Sequence, residues 1–150
     1  MPELVLRTSI AASPDECFRL SLSVDAHTAS MGASGERAVA GVTSGELSLG
    51  QTVTWRAVHF GLPFRMTSAI TAYDRPNRFV DEQTRGPFRR WWHEHRFELR
   101  GGGTEMTDHV RFTSPAGPVG VLADRLVLTS YLRRLLETRN RWLKEQLEGG

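Results

Sequence analysis

A chain of 150 residues that is 39% hydrophobic, with four tryptophans and seven phenylalanines, is long enough to bury a core of its own and too apolar to be disordered. Its formal charge is only +2, so the sequence pI near 9.2 reflects a small excess of arginine and implies no broad basic field for a nucleic acid. The single cysteine, Cys17, excludes an internal disulfide and reads as a small buried apolar residue.

In chain order, Leu4, Leu6, Thr8 and Ile10 alternate with Glu3, Val5, Arg7 and Ser9, which predicts a first strand. This alternating, charged start is neither a signal peptide nor a membrane span, so a cytoplasmic protein with no membrane insertion is expected. Ser13-Pro14-Asp15-Glu16 then supplies an N-cap, a proline in the first turn and acids near the helix start. A short helix to about Leu22 follows, and a second from Val24 to Met31. Six segments near 36–43, 51–60, 64–73, 79–85, 89–100 and 104–112 are rich in Val, Thr, Phe and Trp. Turn residues separate them: Ser44-Gly45, Gly61-Leu62-Pro63, Asp74 to Asn77, Gly86-Pro87 and Gly101 to Gly103. Strands joined by such short turns make an antiparallel meander.

From Pro118 to Leu147 the period becomes helical. Val121, Leu122, Leu128, Tyr131, Leu132, Leu135, Leu136, Trp142, Leu143 and Leu147 form one apolar stripe. The opposite face offers Glu137 with Arg141 and Arg141 with Glu145 as i,i+4 pairs. Such a helix is about 45 Å long and needs an extended partner. Arg125 and Arg139 interrupt the stripe. Each either snorkels past the helix edge or meets polar partners, and Arg125 is read as pointing into a polar cavity beneath the helix. The whole reads as an α+β chain of one domain over 1–150, a long curved antiparallel sheet wrapped around a C-terminal helix. A sheet curled around one cylinder leaves a gap, and pockets of this kind hold roughly 300 to 1,000 Å³.

The order of elements resembles the START and Bet v 1-like superfamily with its helix-grip fold. So do Trp91-Trp92-His93-Glu94-His95-Arg96-Phe97, the Thr104 to Asp108 strand, Pro115-Ala116-Gly117, and the run from Asp124-Arg125-Leu126 to Arg139-Asn140. The chain is most similar to its small bacterial branch of ligand-binding or polyketide cyclase/dehydrase-like members. The resemblance implies a fold; the chemistry it implies is broad, since the superfamily includes lipid carriers, hormone receptors, cyclases and chaperone activators.

Period two places Trp91, His93, His95, Phe97 and Leu99 on one face of their strand and the charged residues on the other. With a hairpin loop from Arg100 to Gly103, Leu99 lies opposite Thr104, Phe97 opposite Met106, and His95 opposite Asp108. A His95 to Asp108 pair is therefore expected. It is either a general base with its orienting carboxylate or a structural hydrogen bond. Val53, Trp55, Ala57 and His59 form another inner row, facing Phe64, Met66, Ser68 and Ile70. Phe79, Asp81 and Gln83 would lie inward on the next strand, although Val80, Glu82 and Thr84 make nearly as good a row. Trp55 and Trp91 serve as core filling or as pocket wall. The His93-x-His95 spacing permits metal binding if a third ligand joins from Asp108 or His59, but with no cysteine cluster no metal and no cofactor is expected. The Arg89 to His93 run interleaves basic and aromatic residues but sends them to opposite faces, so nucleic-acid binding is not expected.

The leading expectation is therefore binding of a small, largely apolar molecule. Its binding residues would be Trp55, His59, Asp81, Trp91, His93, His95, Asp108 and Arg125. The alternatives are an acid–base enzyme using His95 and Asp108, or a protein-interaction module with an exposed apolar patch. The sequence does not specify the oligomeric state.

Overall fold

A computed structural model describes residues 2–114 and 127–149. The first strand β1 (Glu3–Ile10) leads to α1 (Pro14–Leu22) and α2 (Val24–Ser30). Ser13 and Glu16 cap α1 reciprocally, each side chain accepting from the other's backbone N–H, and Pro14 opens the first turn. Ser23 then ends α1 and caps α2, which lets the two helices follow without a linker.

The meander is β2 (Arg37–Gly41), β3 (Thr52–His59), β4 (Leu62–Asp74), β5 (Arg78–Arg85), β6 (Arg90–Arg100) and β7 (Gly103–Thr113). All pairings are antiparallel, in the order β1-β7-β6-β5-β4-β3-β2. The β6–β7 register is the expected one, with Leu99 opposite Thr104 and His95 opposite Asp108. Gly101 and Gly102 supply the two positive φ angles that its tight turn requires. The β3–β4 turn differs from expectation. Phe60 (φ 54°) and Gly61 (φ 74°) form it, and Leu62 and Pro63 pair with His59 and Val58 as the start of β4. The inner row of β3 still faces β4 as read, in the order Val53–Ser68, Trp55–Met66 and Ala57–Phe64. Register shifts between Thr67 and Ser68 and between Ile70 and Ala72 bend β4 against β5.

The last helix, α3, is described from Thr129 to Gly149, about 32 Å of helix. Its expected beginning at Pro118, with Val121, Leu122 and Arg125, lies outside the described residues. α3 packs on β1, α1 and α2. Leu132, Leu136 and Leu143 are buried as the stripe requires. Its observed i,i+4 ion pair is Lys144 with Glu148, rather than a pair through Arg141. Lys144 also donates to the Ser9 carbonyl, and Glu148 accepts from the Ala11 N–H, so this polar edge fastens the helix end to β1. No helix among the described residues is long and apolar enough to cross a membrane.

The core divides into two apolar clusters. One gathers Ile10, Phe18, Leu22, Phe79, Phe97, Met106 and Leu143; the other gathers Leu4, Leu6, Val110, Phe112, Leu132 and Leu136. On β1, β7 and α3, which contribute to both clusters, a polar residue stands between a member of one and a member of the other. Thr8 separates Leu6 from Ile10, Asp108 separates Met106 from Val110, and on β6 His93 and His95 lie between Trp91 and Phe97. Arg139 and Asn140 stand between Leu136 and Leu143 on α3. Inward positions recur every two residues in a strand and every three or four in a helix, so these residues meet at one level. A polar layer crosses the middle of the core.

Candidate functional site

Asp108 lies at the centre of that layer with no exposed surface. Its Oδ1 accepts from His93 Nε2 at 2.8 Å and from Arg139 Nη2 at 2.6 Å, and its Oδ2 accepts from Asn140 Nδ2 at 2.8 Å. Asn140 Oδ1 in turn accepts from Arg139 Nε and Nη2. Burial opposes ionisation of Asp108, but the Arg139 charge and the His93 hydrogen bond outweigh it and hold the carboxyl well below its usual range. The buried anion is thus paired and hydrogen-bonded, as an interior charge must be.

The second carboxylate is Asp81. His95 Nε2 donates to its Oδ2 at 2.7 Å, and His93 Nδ1 stands 3.8 Å from the same oxygen. Burial pushes the Asp81 pKa up, but the hydrogen bond from His95 and the charges nearby reverse that and bring it to about 2. Burial also lowers the His95 pKa to about 4, with the neighbouring His93 adding to the fall and Asp81 only partly opposing it. The two imidazole rings stack with centroids 3.8 Å apart, and His95 stacks on Phe79 at 4.0 Å. Two carboxylates therefore flank one pair of stacked rings.

This arrangement corrects the expected His95–Asp108 pairing. The two residues are cross-strand partners, and His95 Nδ1 comes within 3.4 Å of Asp108 Oδ1. The carboxylate nonetheless takes its hydrogen bond diagonally, from His93, because side chains lean along the strand as well as away from the sheet. His95 turns instead to Asp81, which faces His93 in the backbone ladder. Both His95 nitrogens are directed at carboxylates, and Nδ1 is a buried nitrogen without a hydrogen-bond partner. His95 Nε2 is thus committed to Asp81, while Nδ1 is buried against Asp108.

The layer opens on a cavity of about 180 Å³ between the sheet and α3. Asp81, His93, His95 and Arg139 form its polar end, with Trp91, Leu132 and Leu136 on its apolar side. An adjoining chamber of about 240 Å³ is almost wholly apolar, walled by Ala57, Phe64, Phe88 and Leu128. Trp55, His59, Met66, Leu132 and Leu135 border both spaces. Each alone is smaller than the usual range for ligand pockets, and side by side they fall within it. At the shared wall, His59 Nδ1 and the Tyr131 hydroxyl are hydrogen-bonded at 2.6 Å, and Phe60 packs on the Tyr131 ring. Burial lowers the His59 pKa and raises that of Tyr131. His27 bonds Glu36 at 2.6 Å and lies against Trp55.

Of the residues expected at the site, Trp55, His59, Asp81, Trp91, His93 and His95 border the cavity. Asp108 lies behind the histidines, and Arg125 falls outside the described residues. The β5 ambiguity resolves with Phe79 and Asp81 facing the cavity. Val80 is also buried, paired with Glu94, whose carboxylate holds Arg78 and Arg96. Arg139 does not snorkel; its side chain is 7% exposed and belongs to the site. The interrupted stripe was its sequence signal. Asn140 and Tyr131 were missed as site residues, because an asparagine beside an arginine and a tyrosine within an apolar stripe carry no distinguishing pattern.

The chain matches the family model described as polyketide cyclase / dehydrase and lipid transport over residues 1–148. No curated protein matches it in sequence. Among solved structures it is similar to the protein TTHA0849 from Thermus thermophilus, at 20% identity and TM-score 0.74, over 95% of this chain and 97% of that one. It is similar to Ara h 8.0201 at 12% identity and TM-score 0.72, over 99% of both chains. Major latex-like protein 151 from Panax ginseng matches at 15% identity and TM-score 0.67, over 97% of both. Identities this low describe a shared fold.

Proposed function

The chain belongs to the polyketide cyclase / dehydrase and lipid transport family and has the Bet v 1-like helix-grip fold, and from that membership we propose that it binds a small, largely apolar molecule between the sheet and α3. The observation that carries this reading is an apolar double chamber whose inner end is a buried polar cluster. Apolar walls supply affinity through the area they remove from water, and a few convergent polar groups fix orientation. The body of the ligand occupies the outer chamber against Trp55, Phe64 and Phe88. Its polar end, an oxygen donor or acceptor, reaches Asp81, His93 and Arg139. Native mass spectrometry of the purified protein tests this: a co-purified small molecule that leaves on denaturation supports the proposal. An environment-sensitive apolar dye that fails to bind the ligand-free protein stoichiometrically overturns it.

A further inference from the structure

We infer that Asp81, His93 and His95 form a binding site for a divalent transition-metal ion of the zinc class, open to the inner chamber. Each residue offers one donor atom, and the three atoms lie within 4.8 Å of one another. His95 Nε2 and His93 Nδ1 stand 2.7 and 3.8 Å from the same Asp81 oxygen. An ion bound tetrahedrally at about 2.0 to 2.2 Å by two imidazoles and a carboxylate needs its donors about 3.3 to 3.6 Å apart. The Asp81 side chain is 22% exposed and is the least enclosed of the three. To bind an ion its carboxylate must rotate and the two imidazoles, stacked with planes 21° apart, must tilt apart so that both in-plane lone pairs reach one point.

The second observation lies on the far side of the rings. A histidine that ligates a metal through one nitrogen donates its other N–H to a carboxylate or carbonyl. His93 already does this, since Nε2 donates to Asp108 while Nδ1 faces Asp81. His95 is one step from it. Its Nε2 proton goes to Asp81, and Nδ1 is left buried without a partner, 3.4 Å from Asp108 Oδ1. An ion at Nε2 moves that proton to Nδ1, from where it is donated to Asp108. The orphaned nitrogen is then satisfied, and one carboxylate orients both ligating rings. Arg139 and Asn140 hold Asp108 in place for that role.

The donor set and local charge define the ion. Two imidazole nitrogens with one carboxylate suit zinc and its neighbours and do not suit magnesium or calcium, which take oxygen. Asp81 and Asp108 carry two negative charges against the one positive charge of Arg139, so a dication is attracted and leaves the cluster with a net positive charge. Three protein ligands leave a position toward the cavity for water or a ligand oxygen. The site stands apart from the apolar-ligand reading, although it would give that ligand's polar end an electrophilic partner.

The test uses untagged protein stripped with a chelator and titrated with Co²⁺ and then Zn²⁺. One equivalent of Co²⁺ should bind with visible d–d bands that Zn²⁺ abolishes, and nitrogen spectra of the imidazoles should show His95 changing from the Nε2–H to the Nδ1–H form. Asp81→Asn and His95→Gln should each weaken binding at least about tenfold, and Asp108→Asn about 10- to 100-fold through the orientation it provides. His109→Gln, on the opposite face of β7, should leave binding unchanged. The inference is overturned by no saturable Co²⁺ signal, by undiminished affinity in a folded His95→Gln protein, or by an unchanged His95 form at saturation. Dye titration of the stripped protein separates the two readings, since dye binding without metal binding overturns only the metal site.

Discussion

Arg139 and Asp108 meet 2.6 Å apart in the middle of the core, with side chains 7% and 0% exposed. They join the C-terminal helix to the β7 strand at the floor of the cavity. The pair is as much a structural tie as a feature of the site.

Removing one partner leaves the other charge buried and unpaired. Arg139→Met should therefore destabilise the protein by about 3 to 5 kcal/mol. Replacing both, as Arg139→Met with Asp108→Leu, removes the stranded charge and should cost less than the sum of the single changes. Urea unfolding of the four proteins measures this, and strict additivity would mean that the pair is not coupled.

Acid should loosen the fold in two stages. His95 has a folded pKa of about 4 against an unfolded value near 6.5, so its contribution is complete above about pH 6.5 and is lost as pH falls toward 4. Two to three pKa units correspond to about 3 kcal/mol. Asp81, at about 2 against roughly 3.9 unfolded, contributes above about pH 4 and loses that contribution as pH falls toward 2. Both act in the same direction. Urea midpoints between pH 7.5 and 4 should fall, and His95→Gln should flatten that slope; an equally steep decline in the variant would assign it to other groups.

The diagonal pairing has its own observable. Asp108→Asn should perturb the Nε2–H resonance of His93 more than that of His95, while Asp81→Asn should do the reverse. Straight cross-strand bonding would give the opposite pattern.

The chambers can be tested by filling one of them. Ala57 is buried in the outer wall, and Ala57→Trp should abolish apolar-dye binding while leaving the circular dichroism spectrum native. Unchanged dye affinity in the folded variant would remove the outer chamber from the site.

On α3, Leu136→Ala should cost about 2 to 5 kcal/mol, and the exposed Arg134→Ala within about 0.5. Lys144→Ala, although on the polar face, should cost more than Arg134→Ala, because its ammonium joins Ser9 and Glu148. Thermal melts rank the three, and equal losses at Leu136 and Arg134 would mean that the helix phase is wrong.

Alternation and helical period are local properties, and they sufficed for the strands, the helix stripe over its described part from Thr129 and the β6–β7 register, since Gly101 and Gly102 leave one tight turn available. They also marked His93, His95 and Asp108 as inward and Arg139 as an anomaly in an apolar arc. Which histidine holds which carboxylate was not legible. That depends on side-chain lean and on distances between elements far apart in sequence, with Asp81 coming from β5 and Arg139 and Asn140 from α3. Two residues facing each other in a ladder are close enough to bond, but so are their diagonal neighbours. The packing of the helix against the sheet decides between them, because it fixes where Arg139 and Asn140 place Asp108.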